Sequence, residues 1–595
     1  MTARKDVKKE NRWNLEALFP SIAAWKKELN TLTSRKEAPF FPDLLKLKGS
    51  LKDEKKIKKA LTLFFSISRK LEKLYVYAHH YHDTDTKEQK GKEIYAISSS
   101  LYHAFLTESA WLKTELLKVK KTTLHHKILA PYRFYLDSLT RIKPHTLPLE
   151  QEELLARAGK ACSTPHKAFS ALSDADFSFD SVLDSKKKKH PLSHARYSLN
   201  MKNKDRTLRK NTFSTYFGKY EQYENTFSEI LSGQIESHIF NAKAKKYDSS
   251  LEAALFPRNI DVEVYKNLIS SVHEKISALH DYISLRKKAM KVDKLHYWDL
   301  YTPLIEPSKM HFSYEEAEDL LLDAVEPLGK DYQKLLRQGL KKDRWADRYE
   351  NENKRSGAYS GGCYDSYPYI LMNFNGTLRD VFTLAHEAGH SMHSLLARKK
   401  QPYQYGDYDL FVAEIASTFN EDLLMKALIK KTKSKKEKAF LLTEKLEDIR
   451  ATLFRQTMFA EFELLIHTAA EQNIPLTPQF LKEEYLKLNT FYFGKELTYD
   501  PLLSIEWARI PHFYYNFYVF QYATGISAAL LFSKMVREGG NKERERYLHL
   551  LQSGGSNYPL QLLEEAGVNM REKSAVNAAI DTFSYYTKEL DSLLF

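Results

Sequence analysis

Apolar residues recur at helical spacing through Leu378, Val381, Phe382, Ala385, Ala388, Met392, Leu395 and Leu396, which predicts an amphipathic helix over that stretch. Asn375 or Thr377 can cap its start, and Arg398, Lys399 and Lys400 ahead of Pro402 suit the negative end of a helix dipole and a stop. Leu410, Ile415, Phe419 and Leu423 predict a second amphipathic helix after a connector from Lys399 to Tyr408. Between Gly361-Gly362 and Asn375-Gly376, the run Tyr369, Ile370, Leu371, Met372 and Phe374 reads as a short strand. Strand-like alternation is otherwise confined to roughly residues 177–200, around a lysine-rich turn. Only 20 Gly and 19 Pro interrupt 595 residues, so long helices can fill most of the rest. The expected fold class is mainly α with small β elements.

Pro131, Pro144, Pro148 and Pro165, followed by the hairpin, mark a change along the chain. They divide it into an N-terminal helical lobe over 1–200, including a hairpin near 177–200, and a second lobe over 201–595.

The first predicted helix carries His386-Glu387-Ala388-Gly389-His390, an HExxH pattern. On a helix the two histidines lie one turn apart on one face and can ligate one zinc ion, with Glu387 beside the open coordination position. Two core histidines and a surface glutamate are the alternative. Peptide hydrolysis at zinc requires a third protein ligand. The metzincin solution is absent, because His393 and Leu396 stand at its Gly and third His positions. As a ligand, His393 would have to share a face already used twice, so it reads as a support for the site or a substrate contact. Glu414, on the second helix, is the better third ligand, since an antiparallel return would bring its carboxylate to the metal. Glu421, two turns further along, could accept the free N–H of a ligating histidine and fix its tautomer; otherwise it is a solvated helix glutamate.

Two further segments bear on catalysis. Pro511 suits a first helical turn, after which Tyr514, Tyr518 and Tyr522 fall at i, i+4 spacing and form a phenol stripe behind His512. Such a stripe either packs or aims a hydroxyl at the oxyanion of a tetrahedral intermediate. The strand containing Ile370 and Met372 could pair its edge with an extended peptide, or it belongs to a small structural sheet.

These segments together resemble the M3 family of metallopeptidases, in its oligoendopeptidase F group. The resemblance is carried by residues 386–393 with Phe411-Val412-Ala413-Glu414-Ile415-Ala416-Ser417, by Tyr359-Ser360-Gly361-Gly362, by residues 368–373, and by His512-Phe513-Tyr514 running to Gly525. Weaker matches at 244–247 and 554–559 extend it over most of the chain. It implies one Zn2+ per chain on His386, His390 and Glu414, with Glu387 as the catalytic carboxylate. His512 and one or more of the tyrosines would contact the transition state. It also implies a two-lobed helical fold with a deep channel, which admits flexible oligopeptides for cleavage at internal bonds. The chain departs from the pattern at Phe520, where relatives often have tyrosine, and at Asn569, where Gly-Val-Asp is usual. An exopeptidase or dipeptidase on the same scaffold is the alternative, and beyond that a catalytically idle, basic helical protein that binds peptide or RNA.

Charge modifies this picture little. Lys and Arg number 91 against 77 Asp and Glu, a net charge of +14. The basic runs, Lys186 to Lys189 and Lys430 to Lys436, lack aromatic or glycine interleaving and read as solvated loops, so no nucleic-acid partner is expected. No stretch is long and apolar enough for a membrane span, and residues 1–10 are charged without an apolar core, so no secretory signal is expected. Two cysteines, Cys162 and Cys363, cannot build a disulfide framework. A cytoplasmic protein is the expectation; oligomeric state leaves no signal.

Overall fold

The structure is a computed structural model describing residues 2–33, 35–306 and 310–595. It is mainly α, with only short strands among the described residues. No helix among them is long and apolar enough to cross a membrane. Contacts divide the chain into two compact units, each drawn from three segments. The first takes Met1–Pro144, Met310–Ala427 and Phe532–Val568; the second takes His145–Lys309, Leu428–Leu531 and Asn569–Phe595. The units thus interleave along the chain, whereas the division at residue 200 is sequential.

In the first unit, a 31-residue helix, Glu54–Thr84, starts where the Asp53 carboxylate accepts the Lys55 and Lys56 N–H groups, satisfying donors that a helix start leaves orphaned. It packs along Gln89–Leu116. Leu74, Tyr77 and Ala78 of the long helix and Ile94 of its partner bury themselves with Trp13, Trp25, Tyr369 and Leu371. This core supports a three-stranded sheet in which Tyr369–Leu371 is central, parallel to Ala346–Asp347 and antiparallel to Tyr359–Gly361. The sheet is tied down by charge: Asp347 receives Arg4 at 2.6 Å and Lys354 at 2.7 Å, and the Lys354 ammonium also donates to the Met372 carbonyl at 2.6 Å. The helix Leu378–Lys400 packs on both outer and central strands.

Because both edges of Tyr369–Leu371 are occupied, the expectation that the strand of Ile370 and Met372 offers an edge to substrate is corrected. Ile370 N–H donates to Trp345 O and Met372 N–H to Asp347 O, and both side chains are buried. The free sides belong to the two outer strands, Tyr359–Gly361 and Ala346–Asp347, and the second is flanked by the N-terminal segment, where Arg348 N–H donates to Asn11 O and Asn14 N–H to Arg344 O.

The second unit packs helices that include Arg206–Glu221, Glu224–Ala244, Val262–Glu274, Arg455–Glu471 and Pro478–Phe493. Glu506, fully buried, accepts from Arg455 and Tyr485 of the last two and from Tyr297. The hairpin is shorter than expected. Val182–Leu183 pairs with Lys189–His190 across a turn with Lys187 at φ 63°. The Ser193 hydroxyl then accepts the Arg196 N–H and starts a helix, His194–Met201, so capping ends the strand pattern well before residue 200.

Candidate active site

The Leu378–Lys400 helix begins with a capping box, Thr377 accepting the Asp380 N–H while the Asp380 carboxylate accepts the Thr377 N–H. Thr377 is therefore the cap, and the Asn375 N–H is a further donor to Asp380. The second site helix is Leu410–Lys431. The two run antiparallel: Asn420 donates to Ala385 O, His386 meets Glu421, and His390 meets Glu414. They approach most closely at Gly389, where a Cβ would come within 2.5 Å of Ala416 O and 2.6 Å of the Ser417 Cα. The glycine of the motif lets the two backbones meet, and so lets Glu414 reach the histidines.

His386 Nε2, His390 Nε2 and Glu414 Oε2 form a triangle with sides of 3.2, 3.3 and 3.5 Å. A tetrahedral zinc centre with ligands at about 2.0–2.1 Å has donor–donor edges of about 3.3–3.4 Å, and nitrogen with carboxylate oxygen is a donor set it takes. These residues therefore fit zinc, and they are the one such cluster found among the described residues. Three protein donors leave the fourth position to water or substrate, the hallmark of a catalytic rather than structural centre.

The surrounding groups orient the triangle. His386 Nδ1 lies 2.5 Å from Glu421 Oε1, which assigns the hydrogen to Nδ1 and leaves Nε2 with its lone pair facing the centre. The Ser417 hydroxyl donates to Glu414 Oε2 at 3.1 Å. Burial opposes charge on His386, but Glu414 and Glu421 outweigh it and raise its pKa to about 10. Burial likewise opposes the Glu414 carboxylate, yet the two histidines hold it well below the usual range. A metal ion bound there would displace the proton that His386 Nε2 otherwise shares with Glu414.

Glu387 is not among the three donors. It is buried, 8% exposed, and burial raises its pKa, against the pull of the histidines and the Ser360 backbone. Ser360 belongs to the outer strand Tyr359–Gly361, and its hydroxyl meets that of Ser391 at 2.8 Å. His393 lies behind the site, 2% exposed, its ring stacked on Tyr408 at 3.5 Å. Burial lowers its pKa to about 3. Sequence reasoning passed over Tyr408, Ser417 and Ser360 as individuals; their signal was only proximity to the motifs.

The His512 segment, in the second unit, differs from a helical stripe. Pro511–Tyr514 is a single 3-10 turn, and the next helix starts only at Phe520. Asn516 and Phe517 between them have φ of 48° and 59°, outside any right-handed helix. This break removes Tyr514 from the cluster: it is buried, its ring 4.5 Å from that of Phe169. Tyr522 Oη lies 3.4 Å from His512 Nε2, the Tyr518 ring is nearly parallel to the His512 ring at 6.3 Å, and the rings of Tyr518 and Tyr522 are 5.3 Å apart. Tyr515, which sequence reasoning did not select, stands edge-on to His512 at 5.8 Å. Phe520 is buried against Tyr265, so that position packs.

The family model for peptidase family M3 matches residues 199–582, and that for oligopeptidase F matches residues 115–179. Oligopeptidase PepF of Bacillus subtilis is 41% identical over 99% of this chain and 88% of its own length. Among solved structures, one from Chlamydophila abortus is 42% identical with a TM-score of 0.96 over the whole of both chains. Oligoendopeptidase-F from Enterococcus faecium is 32% identical with a TM-score of 0.72, covering 96% of this chain and 98% of that one.

Proposed function

Because this chain belongs to peptidase family M3 and is a metallo-oligoendopeptidase, we propose that His386, His390 and Glu414 hold its zinc ion and that Glu387 moves the protons of peptide hydrolysis. The observation that carries this reading is the close triangle of three donors, with a buried carboxylate outside it, Glu387, on the helix of the two histidines. Zinc bound there would serve as a Lewis acid and lower the pKa of water at the site.

The chain's own groups supply the rest. Glu387, whose pKa is raised by burial, is a stronger base than an exposed carboxylate. It takes a proton from the attacking water and returns it to the leaving amine. Glu421 keeps His386 in the tautomer that presents Nε2, and Ser417 steadies Glu414. The free edge of Tyr359–Gly361 offers backbone groups that can align an extended peptide. His512 with Tyr518 or Tyr522 supplies hydrogen bonds to the transition state. Short unstructured oligopeptides are the substrates, cut at internal bonds.

The test is Glu387→Gln assayed on an oligopeptide blocked at both termini. Turnover should fall by ~10²-fold or more with zinc content unchanged. A variant that keeps its zinc and cuts the peptide within about tenfold of the parent would exclude Glu387 as the base.

A further inference from the structure

The turn between His512 and Tyr518 is strained, and the strain has a visible restraint. Asparagine tolerates the left-handed region, but a bulky residue such as Phe517 adopts it rarely. Phe517 is 2% exposed, with its ring against those of His467 at 4.4 Å and Tyr265 at 5.6 Å. Its backbone N–H donates to Glu463 Oε1 at 2.6 Å, in the interior of the second unit. Glu463, on the helix Arg455–Glu471, is wholly buried, and its Oε2 has no hydrogen-bond partner. Burial raises the Glu463 carboxyl to about 8, in spite of the Phe517 hydrogen bond, so at neutral pH it is an uncharged acid.

A buried carboxyl with a single partner costs stability relative to an apolar side chain. What it supplies in return is an acceptor for one amide, that of the strained residue next to Tyr518. A stripe of Tyr514, Tyr518 and Tyr522 would need a continuous helix over 514–522, which the left-handed step breaks. With it, the Tyr518 ring lies parallel to that of His512, and Tyr522 reaches the imidazole. We propose that Glu463 is a positioning residue that fixes the Asn516–Phe517 turn, and through it the arrangement of His512, Tyr518 and Tyr522. This rests on the reading above that these three groups contact substrate in the transition state. Backbone strain held by a dedicated restraint is a common property of such sites.

The experiment compares Glu463→Met, Glu463→Gln, His512→Ala and Tyr522→Phe in the full zinc-loaded chain, with a blocked oligopeptide as substrate and hydrogen exchange read at the Phe517 amide. Met keeps the length but removes the acceptor; Gln keeps an acceptor oxygen and the neutral charge. E463M should lose roughly 10- to 100-fold in kcat, the scale of a small misplacement of reacting groups, with KM and zinc content nearly unchanged and the Phe517 amide exchanging fast. E463Q should recover most of the turnover and the slow exchange. Parent-like kcat in E463M, while H512A or Y522F is impaired, overturns the proposal alone. Parent-like kcat in both H512A and Y522F overturns the reading of the cluster and the proposal with it. Fast exchange of the Phe517 amide in the parent chain also overturns it, and decides the matter even if E463M does not fold.

Discussion

Glu421 accepts the Nδ1 hydrogen of His386 across 2.5 Å, joining the two site helices through the imidazole whose other nitrogen faces Glu414. Removing such a partner weakens metal affinity by about 10–100-fold, because the imidazole loses both its orientation and its tautomer. Glu421→Ala should therefore bind zinc more weakly by that factor, read by competition with a chromophoric chelator. Affinity equal to that of the parent would mean that packing alone orients His386.

The ligand set predicts a sharp contrast between histidines one turn apart. His386→Ala, His390→Ala and Glu414→Ala should each lose zinc on dialysis, while His393→Ala, whose ring is stacked on Tyr408 away from the triangle, should retain it. Metal analysis decides the point. Full zinc in the Glu414 variant with depletion in the His393 variant would reverse the assignment.

Among the tyrosines, the broken helix gives an order of effect. Tyr522→Phe should lower kcat and kcat/KM together by up to ~10²-fold, as for a bond made mainly in the transition state, and Tyr518→Phe is the second candidate. Tyr514→Phe should leave kcat near that of the parent, because Tyr514 is buried against Phe169. Steady-state kinetics in which Tyr514 alone mattered would refute this ordering.

Glu72 gives a pH dependence of stability that is separate from the metal. Burial first, and then Asp407, raise its pKa from 4.5 to about 7, with Arg398 and the Tyr403 hydroxyl pulling the other way. An acid raised in the folded state stays protonated there while the unfolded chain ionises. Its favourable contribution is complete below about pH 4.5 and is lost as pH rises to about 7. Glu72→Gln should thus melt at the same temperature as the parent near pH 4.5 and increasingly above it up to pH 7, with a constant gap beyond. A melting-temperature difference that does not change between pH 5 and pH 8 would show that Glu72 titrates normally.

Much of the three-donor cluster was legible because it is written in local spacing. The apolar period placed a helix at 378–400, and one turn of that helix brings His386 and His390 together whatever surrounds it. The second helix, with Glu414 and Glu421 two turns apart, was legible for the same reason. The stripe at 514–522 misled, because i, i+4 spacing presupposes a continuous helix. The left-handed step at Asn516 and Phe517 depends on Glu463, some fifty residues away in sequence. The strand of Ile370 and Met372 was visible as a strand, but its central place in the sheet depends on Ala346–Asp347, whose two residues carry no periodic signal.

By itself, then, the sequence determined the helical class, the HExxH helix and the chemical types of the three donors, since these follow from repeats of a few residues and from what zinc accepts. Only the tertiary structure decided that the donors stand 3.2–3.5 Å apart, that Tyr359–Gly361 rather than its neighbour has the free edge, and that His512 is joined by Tyr518 and Tyr522 without Tyr514. Each of these is a meeting of segments distant along the chain. It is fixed by close packing, as at Gly389 against Ala416, or by a single buried hydrogen bond, as between Glu463 and Phe517, and neither leaves a periodic trace in the residues that make it.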